Sequence, residues 1–190
     1  MDASKQSMIN NKSYKPVKFL DLEKINASFQ PELDAAVSRV VHSGWYLLGS
    51  ETEAFEKEYS SFIGTQFTVT CGNGLDALTL IFKAYLELGV MSPGDEVIVS
   101  ANTFVASMLA ITDCGLIPVL IETDPDTLQI DPNRIEAAIT SRTKAIMIVH
   151  LYGMCAYSDT IGEICKRFNL KLIEDNAQAH GCKYKNKRTG

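Results

Sequence analysis

The sequence predicts an α/β domain with a mainly parallel sheet and helices on both faces, preceded by a helical segment. Three observations predict it. Five short runs rich in Val, Ile and Leu lie at 67–72, 96–100, 117–121, 145–150 and 171–174. They are apolar on both faces, as strands buried between two helix layers are. Stretches of helical length separate them, at 74–88, 103–113, 132–139 and 158–168. Alternating strand and helix requires crossovers between parallel strands, which places helices over the sheet.

Taken in order, the first sixteen residues, MDASKQSMINNKSYKP, are polar and lack the apolar core of a signal peptide. They read as a disordered lead-in, with Met8 as an alternative start, ahead of one structured region from 17 to 190. Pro31 opens a helix whose apolar face carries Leu33, Val37, Val40 and Val41. A second helix follows SGWYLLG (43–49). Ser50 and Glu53 form a capping-box pattern at its start, and Gly64 ends it. Farther on, Asn102, Asp131 and either Ser158 or Asp159 stand where helix N-caps are expected, and Pro132 occupies a first helical position. The last run, CKYKNKRTG (182–190), is basic and rich in turn residues, unlike the packed element that usually closes a domain. There is no internal repeat and no low-complexity segment.

The composition is that of a soluble globular protein with room for a sizeable core: 190 residues, 46% hydrophobic and 22% charged. A net charge of −5 argues against nucleic acid or an anionic membrane as partner. No apolar run approaches the ~20 residues of a membrane span. The five cysteines, Cys71, Cys114, Cys155, Cys165 and Cys182, are odd in number and show no CxxC spacing. They read as reduced thiols of a cytoplasmic protein. With three well-separated histidines, no metal centre is expected.

In open α/β sheets, ligands bind at the carboxyl ends of the strands. After the first predicted strand, Gly72-Asn73-Gly74-Leu75-Asp76-Ala77 runs straight into a helix. It reads as a phosphate cradle of free N–H groups at a helix N-terminus, or as a tight turn. The same residues fit the dinucleotide fingerprint G-x-G-x-x-A. That reading wants an acid after the second strand, where Val99-Ser100-Ala101-Asn102 has none. Phe104, after the second strand, reads as a stacking platform for a flat ring or as a core aromatic. His150, before Leu151-Tyr152-Gly153, reads as a ligand contact or, more simply, as a satisfied histidine at a strand end. After the fifth strand comes Glu174-Asp175-Asn176-Ala177-Gln178. A carboxylate directly after a buried apolar strand is costly without a cationic or hydrogen-bonding partner. A protonated pyridine nitrogen is such a partner for Asp175, with Gln178 bonding another ring substituent. Alternatively, Asp175 caps a following helix.

FLDLEKIN (19–26), SGWYLLG (43–49), GNGLDAL (72–78), PGDEVIVSANTFVA (93–106), HLYG (150–153) and IEDNAQAHG (173–181) together resemble the DegT/DnrJ/EryC1/StrS family of sugar aminotransferases. The likeness covers nearly all of 17–190. It is greatest to members that aminate nucleotide-linked 3-keto-6-deoxyhexoses. The resemblance implies an incomplete large domain of pyridoxal-phosphate (PLP) fold type I, a cytoplasmic homodimer, and transfer of an amino group, typically from glutamate, to a nucleotide-linked keto sugar. It implies that the backbone at Gly74 and Leu75 holds the cofactor phosphate, that Phe104 stacks on the ring, that Asp175 pairs with the ring nitrogen, and that Gln178 sits beside the ring hydroxyl. Trp45 and Tyr46 fall in a segment that borders the active site in the family and receive no catalytic role. Asn176 stands where the family usually has a small apolar residue.

The family's Schiff-base lysine lies roughly 28 residues after this aspartate, within the cofactor-lysine motif, and therefore beyond Gly190. By the same resemblance, the phosphate-binding serine before it and the small C-terminal domain are expected to be absent from these 190 residues. Lys183, Lys185 and Lys187 match no catalytic position. Two of the later strands belong between the 67–72 strand and the 171–174 strand. The 190-residue chain alone is therefore expected to lack a catalytic residue, to bind the cofactor weakly or not at all, and to be marginally stable. A related sugar dehydratase, with histidine for the lysine, and a non-catalytic product are the alternatives.

Overall fold

The computed structural model describes residues 17–190; the expected lead-in at 1–16 lies outside the described residues. The chain divides into two compact units, Met1–Glu51 and Thr52–Gly190.

The first unit contributes α1 (Leu22–Ala27) and α2 (Glu32–Ser43). Asp21 caps α1 by accepting the Lys24 N–H. Pro31 precedes α2 as its N-cap residue, one position earlier than expected, and Gly44 ends the helix in the left-handed conformation at φ +65°. Neither helix buries a residue, and the apolar face read from Val37 and Val41 is exposed. Arg39 forms a two-pronged pair with Glu51, at 2.7 and 3.0 Å. That bond holds the Glu51 carboxyl below its usual range.

Helix α3 (Ser50–Ile63) starts at the last two residues of the first unit and continues into the second, where α4 (Gly74–Glu87) and a four-stranded parallel sheet follow. Ser50 is the first residue of α3, and no Ser50–Glu53 capping bond forms among the described residues. Gly64 ends α3 at φ +90°, with its N–H on the Ser60 carbonyl. The strands are β1 (Glu96–Ser100), β2 (Ile117–Ile121), β3 (Thr143–Val149) and β4 (Lys171–Asp175), ordered β2-β1-β3-β4. The intervening helices are α5 (Val105–Asp113), α6 (Pro132–Ile135, continued as a 3-10 turn to Ala138) and α7 (Asp159–Phe168). Asp131 and Ser158 cap α6 and α7. Asn102 does not cap α5. Its amide is already engaged, accepting from Ser100 and donating to the Leu128 carbonyl, so Phe104 takes the cap position without a side-chain bond.

Side chains of period two split the core between the sheet's faces. Val97, Val99, Ala145, Met147 and Ile173 pack with Leu78 and Phe82 of α4 and Ile111 of α5. On the other face Ile98, Ile146 and Ile148 pack with Ile135 of α6 and Ile161 and Ile164 of α7. Burial on both faces is what the continuous Val/Ile runs require.

The 67–72 run forms no strand. No neighbouring strand lies beside it among the described residues, and Phe67 and Val69 are exposed. Side chains of α3 take the place of a ladder: Ser60 donates to the Thr68 hydroxyl at 2.8 Å, and Glu56 accepts from both the N–H and hydroxyl of Thr70. Those two bonds pull the Glu56 carboxyl below its usual range, the backbone bond contributing most. The basic run near Gly190 folds into a hairpin of β5 (Lys183–Tyr184) and β6 (Lys187–Arg188). Asn176 anchors it, accepting from the Thr189 hydroxyl at 2.8 Å and donating to the Thr189 carbonyl. Among the described residues no helix is long and apolar enough to cross a membrane.

Candidate functional site

A cavity of about 340 Å³ opens at the carboxyl ends of the strands. Gly74, Leu75, Phe104, Asp175 and Gln178 all line it, with Val149 and Ala177 between them. The structure thus brings the five sequence-predicted residues together. A larger groove, about 650 Å³, runs between α6 and α7. Its charged lining is mixed, with Glu136 and Glu163 facing Lys166 and Arg167, and Arg167 is already paired with Glu136. It offers no convergent set of free donors or acceptors.

One end of the cavity is built for an anion. Asn73 caps α4, accepting the Asp76 N–H at 3.0 Å while its amide donates to the Asp76 carboxylate. The Ala77 N–H goes to the Asn73 carbonyl. The N–H groups of Gly74 and Leu75 then have no acceptor among the described residues. They point out of the helix at its positive end. A Cβ on Gly72 would lie 2.6 Å from the Asp76 carboxylate, which would have to shift to admit it. A Cβ on Gly74 would stand 4.0 Å from the Ala177 Cβ and narrow the cavity.

The cavity wall also carries Asp175, at the last position of β4. Its Oδ1 accepts the Ala177 N–H at 3.2 Å, and its Oδ2 accepts the Ser107 hydroxyl at 3.1 Å. Asp175 caps no helix: beyond it the chain runs on as turns, which removes the capping alternative. Gln178 is oriented from behind. Its Oε1 accepts the Tyr152 N–H at 2.9 Å, which leaves its NH₂ group free to donate. Tyr152 presents that N–H from the left-handed region, at φ +56°, followed by Gly153 at φ +81°. Phe104 is 66% exposed, so it belongs to the cavity wall and not to the core.

His150 is fully buried and lines no part of this cavity. Its Nδ1 accepts the Ala156 N–H, so its Nε2 carries the proton and donates to Glu174 at 2.9 Å. Burial drives the Glu174 carboxyl up, but the bonds from His150 and from the Gly190 N–H outweigh it and leave the group below its usual range. This is the satisfied strand-end histidine. Sequence reasoning missed Ser107 and the Tyr152 N–H. The only trace of the first was its i+4 spacing from Thr103, and of the second the glycine after it.

The family model that matches residues 28–190 is that of the DegT/DnrJ/EryC1/StrS aminotransferase family. The chain belongs to the DegT/DnrJ/EryC1/StrS aminotransferase family. Among DegT/DnrJ/EryC1/StrS relatives, it is 52% identical over 174 residues to the dTDP-3-amino-3,6-dideoxy-alpha-D-galactopyranose transaminase of Aneurinibacillus thermoaerophilus, covering 92% of this chain and 47% of that protein. It is 44% identical to the dTDP-3-amino-3,4,6-trideoxy-alpha-D-glucose transaminase of Streptomyces venezuelae, covering 92% and 45%. The fold superposes on the crystal structure of S. venezuelae DesV in complex with a ketimine intermediate with a TM-score of 0.87 at 44% identity, over 93% of this chain and 47% of that one. It also superposes on the E. coli GDP-4-keto-6-deoxy-D-mannose-3-dehydratase with bound hydrated PLP, at TM-score 0.78 and 28% identity, over 82% and 41%. The chain spans about half the length of these relatives. The architecture is accordingly that of PLP fold type I aminotransferases.

Proposed function

We propose that this chain forms the cofactor-binding part of a PLP-dependent aminotransferase, working as a homodimer, that moves an amino group from glutamate to the keto group of a nucleotide-linked deoxysugar. The observation that carries the reading is the donor and acceptor set around one cavity. Two free N–H groups at a helix N-terminus, an exposed aromatic, an anchored carboxylate and a free amide NH₂ match the phosphate, ring, ring nitrogen and ring hydroxyl of pyridoxal phosphate in turn.

In this reading Gly74 and Leu75 bind the phosphate through their N–H groups. Phe104 stacks on the ring and shields it from water. Asp175 would accept a hydrogen bond from the protonated ring nitrogen and keep it charged, and the Gln178 NH₂ would donate to the ring hydroxyl oxygen. Bound there, PLP supplies the electron sink that amino transfer needs. Among the described residues no lysine lines the cavity, and Lys183, Lys185 and Lys187 sit on the β5–β6 hairpin. In this reading the amine that would hold the cofactor covalently and move the proton is not among the described residues that line the cavity.

The superposition on the dehydratase favours a second reading, a sugar dehydratase, which the higher identity to transaminases outweighs. The test is to read the coding sequence past Gly190. A lysine roughly 28 residues after Asp175 is expected, as the cofactor-lysine motif requires. A histidine there selects the dehydratase, and an unrelated continuation overturns both. In a protein carrying that lysine, Asp175→Asn should abolish amino transfer without unfolding the chain.

A further inference from the structure

Ser107 lies on α5, 68 residues before Asp175 in sequence, and is fully buried. Its hydroxyl touches two groups: Asp175 Oδ2 at 3.1 Å and the Thr103 hydroxyl at 2.8 Å. The Ser107–Thr103 contact has two possible directions taken alone, and the chemistry of the third member decides between them. An ionised carboxylate only accepts. Ser107 has one hydroxyl proton, so that proton goes to Asp175. Thr103 must then donate to Ser107. The order is Thr103 to Ser107 to Asp175, and buried as it is, Ser107 has no bulk water to substitute for either partner.

The second carboxylate oxygen is also fixed, by the Ala177 N–H at 3.2 Å. Both oxygens are therefore held by donors from the protein, and their remaining lone pairs are left for the cavity that Asp175 lines. The same turn of chain carries Phe104 between Thr103 and the first residue of α5. One short segment thus sets both the ring platform and the plane of the carboxylate.

We propose that Thr103 and Ser107 are positioning residues: a two-hydroxyl relay that fixes the plane of the Asp175 carboxylate for a cationic aromatic nitrogen. The proposal rests on the reading of Asp175 as partner of the ring nitrogen. It goes beyond that reading in assigning the orientation of the acid to two residues that do not themselves touch the ligand.

The test uses the full chain and the variants Ser107→Ala, Thr103→Val, Thr103→Ser and Asp175→Asn, with circular dichroism confirming the fold of each. The first readout needs no cofactor. The infrared carboxylate stretch that Asp175→Asn deletes is assigned to Asp175 and followed in the others. It should move in Ser107→Ala, move less in the same direction in Thr103→Val, and stay put in Thr103→Ser, which restores the donor. The second readout is the dissociation constant for pyridoxal phosphate. Loss of a hydrogen bond to a charged group should weaken it about 10-fold in Ser107→Ala and by a smaller factor in Thr103→Val. The double variant should bind no worse than Ser107→Ala, because one chain of bonds is cut once. Ser107→Ala should add nothing in the Asp175→Asn background. An unmoved infrared band in Ser107→Ala, or equal weakening by Thr103→Val and Thr103→Ser, overturns the relay. Should Ser107→Ala fail to fold, the nearly isosteric Thr103→Val decides alone by the same band. If Asp175→Asn binds the cofactor as well as the natural chain while the band still responds to Ser107→Ala, the relay stands as a structural device and the ligand reading of Asp175 fails.

Discussion

Replacing Glu96 with glutamine should lower stability by about 2–3 kcal/mol at pH 7, the scale of losing one charge-assisted hydrogen bond in a buried network. Glu96 opens β1, and its side chain is 5% exposed. One oxygen accepts Arg142 at 2.6 Å; the other accepts the hydroxyls of Thr140 at 2.6 Å and Thr143 at 3.2 Å. Three donors therefore meet two acceptor oxygens and tie the turn before β3 to the first residue of β1. A glutamine keeps one acceptor and turns an NH₂ group toward either the guanidinium or the hydroxyls, so at least one donor loses its partner. For a chain of this size the loss corresponds to a fall in melting temperature of about 5–10 °C.

The pH dependence follows from the same bonds. The Thr140 hydroxyl contributes most, and with Arg142 and Thr143 it outweighs burial, holding the Glu96 carboxyl below its usual range. The folded value is thus below the unfolded one of about 4.3. The stabilisation is fully present above the unfolded value and is lost as pH falls through the folded value. Urea unfolding followed by circular dichroism should show a constant gap between the natural chain and Glu96→Gln from neutral pH down to about 5, closing in stronger acid as the carboxyl protonates. A gap under about 0.5 kcal/mol at pH 7, the range of ordinary surface substitutions, would mean that the network holds nothing together. A gap that persists unchanged in acid would mean that the charge on Glu96 is irrelevant to it.

Asn73→Ala should cost about 1 kcal/mol through the lost cap of α4, and it should weaken phosphate binding at Gly74 and Leu75, as read by unfolding and by a phosphate titration. Phe82→Ala, at a fully buried core position, should cost about 3–5 kcal/mol in urea unfolding. Phe104→Ala, at an exposed one, should leave the unfolding midpoint nearly unchanged and weaken PLP retention by the roughly 0.5–1.5 kcal/mol of a stacked aromatic contact. Tyr152→Val should destabilise by about 1–3 kcal/mol, because a β-branched residue is strained at positive φ, while Tyr152→Gly should be tolerated.

What was legible in advance was what depends on local pattern. EVIVS matches β1 to the residue, since it is a dense apolar run with polar residues at its ends, and the run read at 117–121 forms β2. β3 begins two residues earlier than its apolar run. Thr143 is polar, yet it belongs to the ladder because its hydroxyl meets Glu96. The 67–72 run has the composition of a strand, but composition does not supply a neighbour, and the segment leans on α3 instead. Asn102 has the chemistry of a cap and spends it on Leu128, 26 residues away. The hairpin at 183–188 escaped because two-residue strands leave no periodic signal. At the candidate site, the positions of Gly74, Leu75, Phe104, Asp175 and Gln178 were readable because each follows a predicted strand end. Ser107 and the Tyr152 N–H were not, since one depends on a contact across 68 residues and the other on a backbone dihedral angle.

Everything proposed for function rests on the cavity between the start of α4 and the end of β4 being a site for pyridoxal phosphate. It is tested by comparing the dissociation constants of pyridoxal phosphate and of pyridoxal, which lacks the phosphate, for the natural chain and for Asp175→Asn. The phosphate form should bind more tightly, and Asp175→Asn should weaken it by about 10-fold or more, the scale of a lost charge-assisted hydrogen bond. Equal binding of the two compounds, or an Asp175→Asn chain that binds as the natural one does, would mean that this cavity is not the cofactor's site.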